Sequence, residues 1–266
     1  MKVKMNDLAV KIENATVRVK GRVILDNINM SIPTGRHQFI LGANGAGKTT
    51  LVKTLMGFVW PLYGANIEIL GKKLGNYDLA ELRRHIAWVS PFFQQWSNPE
   101  ATGLELVISG VDGTLDLFRK PTAAEIEKAE EIMKNLRCLH LRDEHLFTMS
   151  SGEQIKILIA RAFMTDPQLV ILDEPSVFLD ITSREYLLSA VSELAKTSSD
   201  ITVIFITQRI EDIMPVFGEG MILSHGRIMA RGTREEVITR EHLHSAFDMP
   251  IDFRISKSGR YWPIIE

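Results

Sequence analysis

Residues 42–49 read GANGAGKT, with the apolar run "RHQFIL" before them and "TLVKTLMGF" after them. No other stretch restricts the fold as much. The glycines let the backbone turn so that several N–H groups point to one place. The helix that starts there adds its positive dipole end. An apolar strand that runs into such a loop and leaves as a helix forms a cradle for polyphosphate. Its candidate contacts are Gly42, Ala43, Asn44, Gly45, Ala46, Gly47, Lys48, Thr49 and Thr50. Lys48 reaches the β- and γ-phosphates as a mobile charge, and Thr49 offers a hydroxyl to Mg²⁺.

The rest of the chain reads as an α/β protein. "LAVKIENATVRVKGRVILDNINMSI" alternates apolar and polar residues around a Lys-Gly turn, as antiparallel strands with one covered face do. "HIAWVS", "QLVILDEP" and "ITVIFIT" show little polar alternation and read as buried parallel strands. Between them, Thr122 and Glu125 have capping-box spacing. Ile126, Ala129, Met133 and Leu136 then share one helical face. Residues from roughly 92 to 165 are therefore expected to form a helical insert in a single domain. "MILSHGRIMARG" reads as a terminal hairpin, and 233–266 as a helix with a tail. The near-zero net charge of -2 gives no electrostatic case for nucleic acid as the main partner. One cysteine, Cys138, allows no intrachain disulfide and fits a reducing compartment. The start has no signal-peptide pattern, and no run approaches the ~18 apolar residues of a membrane span.

Two further motifs bear on chemistry. "LVILDEP" ends a buried strand on Asp173 and Glu174, and an α/β sheet places its ligand at such strand ends. Asp173 is expected to hold Mg²⁺, and Glu174 to orient or deprotonate an attacking water. "TMSSGEQIKILIARAF" is the other. Ser150 and Glu153 have capping-box spacing, and Gly152 permits the close approach of another backbone. This is a second helix N-terminus with a free hydroxyl, a second anion site. Two copies of the chain could use both sites, each closing the nucleotide of the other.

With these motifs in place, the sequence resembles the ATP-binding-cassette ATPases over nearly its whole length. "GANGAGKTT" matches their phosphate loop. "MSSGEQ" matches their signature motif, with Ser151 replacing the first glycine. "LVILDEPSVFLD" matches their Walker B strand and the loop ending at Asp180. The resemblance implies a P-loop NTPase with a RecA-like core, an antiparallel β-subdomain and an inserted helical subdomain. On that plan, 1–91 and 166–232 form the core and β-subdomain, and 92–165 the helical one. The resemblance also implies ATP and Mg²⁺ as cofactors and a head-to-tail homodimer or paired cassette. Ser150, Ser151, Gly152 and Glu153 would then serve the partner's nucleotide. Separate membrane permease subunits would hold the protein at the inner face of the membrane. Within the family, the sequence is most similar to the ATPase subunits of bacterial metal, siderophore or molybdate importers.

Three positions depart from the family pattern. An aromatic usually stacks on adenine about 23 residues before the phosphate loop. Val19 stands there and either covers an adenine face or belongs to the β-subdomain core. The strand "HIAWVS" usually leads into a glutamine that ligates Mg²⁺. Here Pro91 follows it, and Gln94 or Gln95 is left to supply the ligand unless water does. Phe92, Phe93 and Trp96 either dock a partner helix or fold onto their own core. Third, Gln208 replaces the histidine that contacts the γ-phosphate. Its amide donates a hydrogen bond but carries no charge. Binding is expected to survive, with hydrolysis slowed by as much as a factor on the order of 10²–10³. Lys48, Glu174 and Gln208 are thus the expected catalytic set. The resulting expectation is an ATP-hydrolysing transporter subunit. Its rival is a soluble ATP-dependent dimerisation switch without transport.

Overall fold

A computed structural model describes residues 8–91, 93, 97–197 and 201–265. Its first strands are β1 (Leu8–Val19) and β2 (Arg22–Pro33), which pair antiparallel. They bury Val10, Ile12, Val17, Ile28, Met30 and Ile32 on one face. The alternation slips where Asn14 and Asn27 take left-handed φ of 54° and 49°. Asn14 N–H donates to Asn29 Oδ1 (2.9 Å) and Asn27 N–H to Thr16 Oγ1 (3.1 Å), so side chains satisfy the irregular backbone.

The chain then passes through β3 (Gln38–Leu41), α1 (Lys48–Leu55), β4 (Asn66–Ile69), β5 (Lys72–Lys73), α2 (Leu79–Arg83) and β6 (Ile86–Val89). Three helices follow: α3 (Gly103–Ile108), α4 (Ala123–Asn135) and α5 (Ser151–Ala162). Next come β7 (Leu169–Asp173), α6 (Ile181–Thr197) and β8 (Thr202–Thr207). The chain closes with β9 (Glu219–Ser224), β10 (Arg227–Thr233), α7 (Arg234–Val237), α8 (Arg240–Phe247), β11 (Asp252–Ile255) and β12 (Tyr261–Ile264).

Two sheets carry the architecture. One is antiparallel, in the order β2-β1-β4-β5. The other has six strands in the order β10-β9-β3-β8-β7-β6, parallel from β9 through β6. A strand's side chains alternate between its two faces, which sorts the apolar residues of the parallel sheet into two cores. Ile40, Ile171, Ile204 and Ile206 face α1 and the antiparallel sheet. Phe39, Leu41, Leu172, Val203 and Phe205 face the helices α3–α6 and the C-terminal elements. Both faces are covered, so these short strands carry no polar alternation.

Helices α3, α4 and α5 pack on one another in the segment between β6 and β7. The expected cap of α4 is present. Glu125 N–H donates to Thr122 Oγ1, and Thr122 N–H returns a bond to Glu125 Oε2 at 2.7 Å. Of its expected apolar face, Ala129 and Met133 are fully buried, and Ile126 and Leu136 are partly covered.

The C-terminal region differs from the sequence reading in two ways. The hairpin β9–β10 is present, but β9 also joins β3 as a parallel strand of the main sheet. The segment beyond it is two short helices and a second hairpin, β11–β12, rather than one helix and a tail. Charges at Asp252 and Arg254 and a proline at Pro263 hide the strand pattern there.

Phe205 is fully buried, with its ring 5.2 Å from that of Phe217. Phe205→Ala is expected to lower the unfolding free energy by about 3–5 kcal/mol in urea titrations. Tyr63→Ala, at a fully exposed side chain, should change it by less than about 0.5 kcal/mol.

Candidate functional site

The C-terminal ends of β3, β7 and β8 lie side by side, and the loops that leave them meet in one cleft. After β3 the chain must pass the end of β9. A Cβ on Gly42 would stand 2.4 Å from the Leu223 carbonyl oxygen, so only glycine fits. Gly42 N–H donates to the Thr207 carbonyl (3.2 Å), which ties the loop to β8. Gly47 takes φ 106° immediately before α1, a conformation that side chains disfavour. Ala46 turns its methyl into the core, while its carbonyl accepts a bond from Gly226 N–H at 3.0 Å.

Lys48 opens α1 and is only 6% exposed. Its ammonium donates to the carbonyls of Gly42 (2.7 Å) and Ala43 (2.9 Å) and lies 3.0 Å from Glu174 Oε1. A buried ammonium needs such acceptors, and here the loop backbone and one carboxylate supply them. Glu174 follows β7 with a left-handed φ of 53°, rare for a side-chain-bearing residue. Its N–H donates to the Ile206 carbonyl (3.0 Å), which holds that turn against β8.

Asp173, the last residue of β7, is 1% exposed, and neither carboxylate oxygen accepts a hydrogen bond within 3.5 Å. Burial, reinforced by the Glu174 charge, pushes its pKa up to about 6, against the opposing pull of Thr49, Lys48 and Lys53. A buried carboxylate without donors, next to a hydroxyl, suits a hard divalent cation. Among the described residues no group of three or more His, Cys, Asp or Glu side chains could hold a metal ion by itself. Thr49 and Asp173 therefore fit a Mg²⁺ that takes its remaining ligands from phosphate and water.

The cleft has a volume of ≈ 430 Å³, and Asn44, Lys48, Thr49, Glu174 and Gln208 all line it. The strand-end glutamine thus reaches the same space as the buried lysine. Pro91 also lines it, on the side where β6 ends. Gln94, Gln95, Phe92 and Trp96 lie outside the described residues. Phe93 packs edge-on against Trp88, with ring centroids 4.9 Å apart, so this aromatic folds onto its own strand. Val19 is 38% exposed at the end of β1 and is not part of a core, which removes that alternative for it. Ile24 of β2 lines the cleft instead, as do Val177 and Phe178. These three went unassigned in the sequence, where Ile24 is one more residue of an alternating strand. A large apolar residue left 62% exposed, as Phe178 is, becomes visible only after folding.

The second helix terminus contributes none of the residues given above as lining this cleft. Ser150 caps α5, and its capping box with Glu153 is complete. Its hydroxyl is not free as expected, because it donates to Glu153 Oε2 at 2.7 Å. These bonds hold the Glu153 carboxyl below its usual pKa. Ser150 and Ser151 are exposed, whereas Gly152 is buried. The neighbour that Gly152 admits is a side chain of the same protein: an added Cβ would lie 2.7 Å from Ser183 Oγ of α6.

Comparison with known proteins agrees with this geometry. The sequence profile of the family described as ABC transporter matches residues 25–177, more than half of the chain. An uncharacterized ABC transporter ATP-binding protein of Bacillus subtilis, YlmA, is 33% identical over 245 residues, which cover 92% of each chain. The molybdate import ATP-binding protein MolC of Haemophilus influenzae is 28% identical, covering 86% of this chain and 83% of its own. Among solved structures, cbiO1 of Clostridium perfringens, part of the ABC transporter complex cbiONQ, superposes with a TM-score of 0.76 at 25% identity. That match covers 90% of this chain and 94% of cbiO1. With a glycine cradle around a buried lysine, an acidic strand end beside it and a capped helix carrying SSGEQ, the chain belongs to the ABC transporter family as an ATP-binding subunit.

Proposed function

We propose that the chain hydrolyses ATP in this cleft as one half of a cassette dimer, and that it energises import through a separate membrane permease. The observation that carries the reading is the convergence of Lys48, Thr49, Glu174 and Gln208 on one cleft. Lys48 and the loop N–H groups bind the phosphates. Thr49 and Asp173 would hold Mg²⁺, which would supply positive charge against the bound phosphates. A triphosphate brings its own negative charge to Lys48, which leaves the Glu174 carboxylate to orient and deprotonate the attacking water. Gln208 donates its amide N–H to the γ-phosphate without adding positive charge.

Ser150 is exposed at a helix N-terminus and is not among the residues lining its own chain's cleft. In a head-to-tail pair, the N-terminus of α5 meets the γ-phosphate bound by the other protomer, with Ser150, Ser151, Gly152 and Glu153 facing it. Ile24, which lines the cleft, covers one face of the adenine, and Val19, exposed beside the β1–β2 turn, extends that apolar edge. Among the described residues no helix is long and apolar enough to cross a membrane, so a permease provides the path and the chain sits at the inner face through it. The similarity to a molybdate import protein supports uptake as the direction.

Two substitutions test the hydrolytic site. Glu174→Gln keeps the shape and removes the base. Phosphate release is expected to fall by at least about 10²-fold, with ATP still bound and the trapped protein eluting as a dimer on size exclusion. Unchanged release would remove Glu174 from its role. Gln208→His is expected to raise kcat, by up to the order of 10²–10³ if charge on the γ-phosphate is limiting. Equal rates for the two proteins would show that this position only clamps the nucleotide.

A further inference from the structure

The C-terminal stretch DFRISKSGRYWPIIE matches no motif, yet two adjacent residues in it are buried. Arg260, just before β12, is 7% exposed, and Tyr261 beside it is 2% exposed. The Arg260 guanidinium faces two other segments at once. Its Nε and Nη2 donate to the Glu211 carbonyl at 3.0 and 2.6 Å. Nη2 also donates to Glu185 Oε1 at 3.1 Å, and Nη1 to Glu185 Oε2. Glu185 stands on α6, and Glu211 belongs to the short turn Ile210–Asp212 that begins two residues after Gln208.

The network continues inward. Asp212 is fully buried and accepts a hydrogen bond from the Ser176 hydroxyl, two residues after Glu174. Arg184, also on α6, lies 3.5 Å from Glu211 Oε1 and 3.6 Å from Asp212 Oδ1. The Trp262 ring covers both guanidiniums, with its centroid 5.0 Å from Arg260 and 6.0 Å from Arg184. The segment leaving Gln208 and the segment leaving Glu174 are therefore joined through Asp212 and Ser176, and the C-terminal hairpin bolts that joint to α6. A planar guanidinium fixes such a geometry because its donors are rigidly spaced.

We propose that Arg260 is a positioning residue for ATP hydrolysis: the C-terminal hairpin sets the spacing of Gln208 and Glu174 across the cleft without touching nucleotide. This rests on the hydrolytic reading of that cleft given above. Small misplacement of reacting groups costs turnover far more than it costs binding. In the full-length protein, Arg260→Ala should lower kcat by about ten- to a hundredfold while KM and ATP affinity change by less than about twofold. Glu185→Gln, a milder change, should lower kcat by about threefold, and the double variant should be no slower than Arg260→Ala alone. Amide hydrogen exchange in 208–213 should quicken in Arg260→Ala, with β3 and α5 unchanged.

A folded Arg260→Ala that keeps wild-type kcat overturns the proposal and leaves the hydrolytic reading intact. So does a loss of kcat matched by an equal loss of ATP binding. If Arg260→Ala does not fold, unchanged kcat in both Glu185→Gln and Arg260→Lys overturns it equally. If the wild-type protein shows no turnover that Glu174→Gln removes, the hydrolytic reading fails. Exchange in 208–213 then decides by itself whether Arg260 holds that segment, and unaltered exchange rejects the bolt.

Discussion

The ammonium of Lys48 is a positive charge placed almost out of water, and much of the surrounding structure exists to make that tolerable. Two carbonyls of its own loop and the Glu174 carboxylate face it. The carbonyls can turn inward only because the loop has glycines where it needs them, and the loop can sit there only because Gly42 lets β3 pass the end of β9. Glu174 can reach the lysine only because its backbone takes a left-handed turn held by the β8 carbonyl of Ile206. A charge buried in this way is also ready to meet phosphate, since little water has to be displaced from it.

The two cores keep those pieces in register. On one face of the parallel sheet, Leu51, Val52 and Leu55 of α1 lie between Ile40, Ile171, Ile204 and Ile206 and the antiparallel sheet. On the other, α5 and α6 cover Leu172, Val203 and Phe205. The β9–β10 turn then links layers: Gly226 N–H donates to Ala46 of the phosphate loop, and its carbonyl accepts from Asp26 N–H of β2 at 2.8 Å. The loop between β3 and α1 is thus held from the parallel sheet and from the antiparallel sheet together.

Legibility in the sequence followed the range of the interactions. The strand–loop–helix at Gly42–Thr49 and the capping boxes at Thr122 and Ser150 were readable because each is completed within a few residues. The buried strands were readable because both faces are covered and polar residues are absent. Val19 and Ile24 illustrate the opposite case. Both sit in an alternating strand pair, and only the bulged register of β1 on β2 decides which of them lines the cleft. The Ser150 hydroxyl could be placed at a helix N-terminus, but its bond to Glu153 depends on side-chain geometry that spacing does not report.

What the residues determined unaided was local chemistry: a glycine cradle with a lysine, an acidic pair ending an apolar strand, and a capped helix after SSG. Backbone conformational limits and short-range hydrogen bonds suffice for these, and both act between near neighbours in the chain. The tertiary structure put Gln208 in one cleft with Lys48, which only the family resemblance had implied, and by itself decided that Gly152 admits Ser183 and that Arg260 grips Glu185 and Glu211. Those contacts join residues 31 to 160 positions apart. Such contacts form only where burial of apolar faces brings distant segments together, and no local pattern encodes which segments those are.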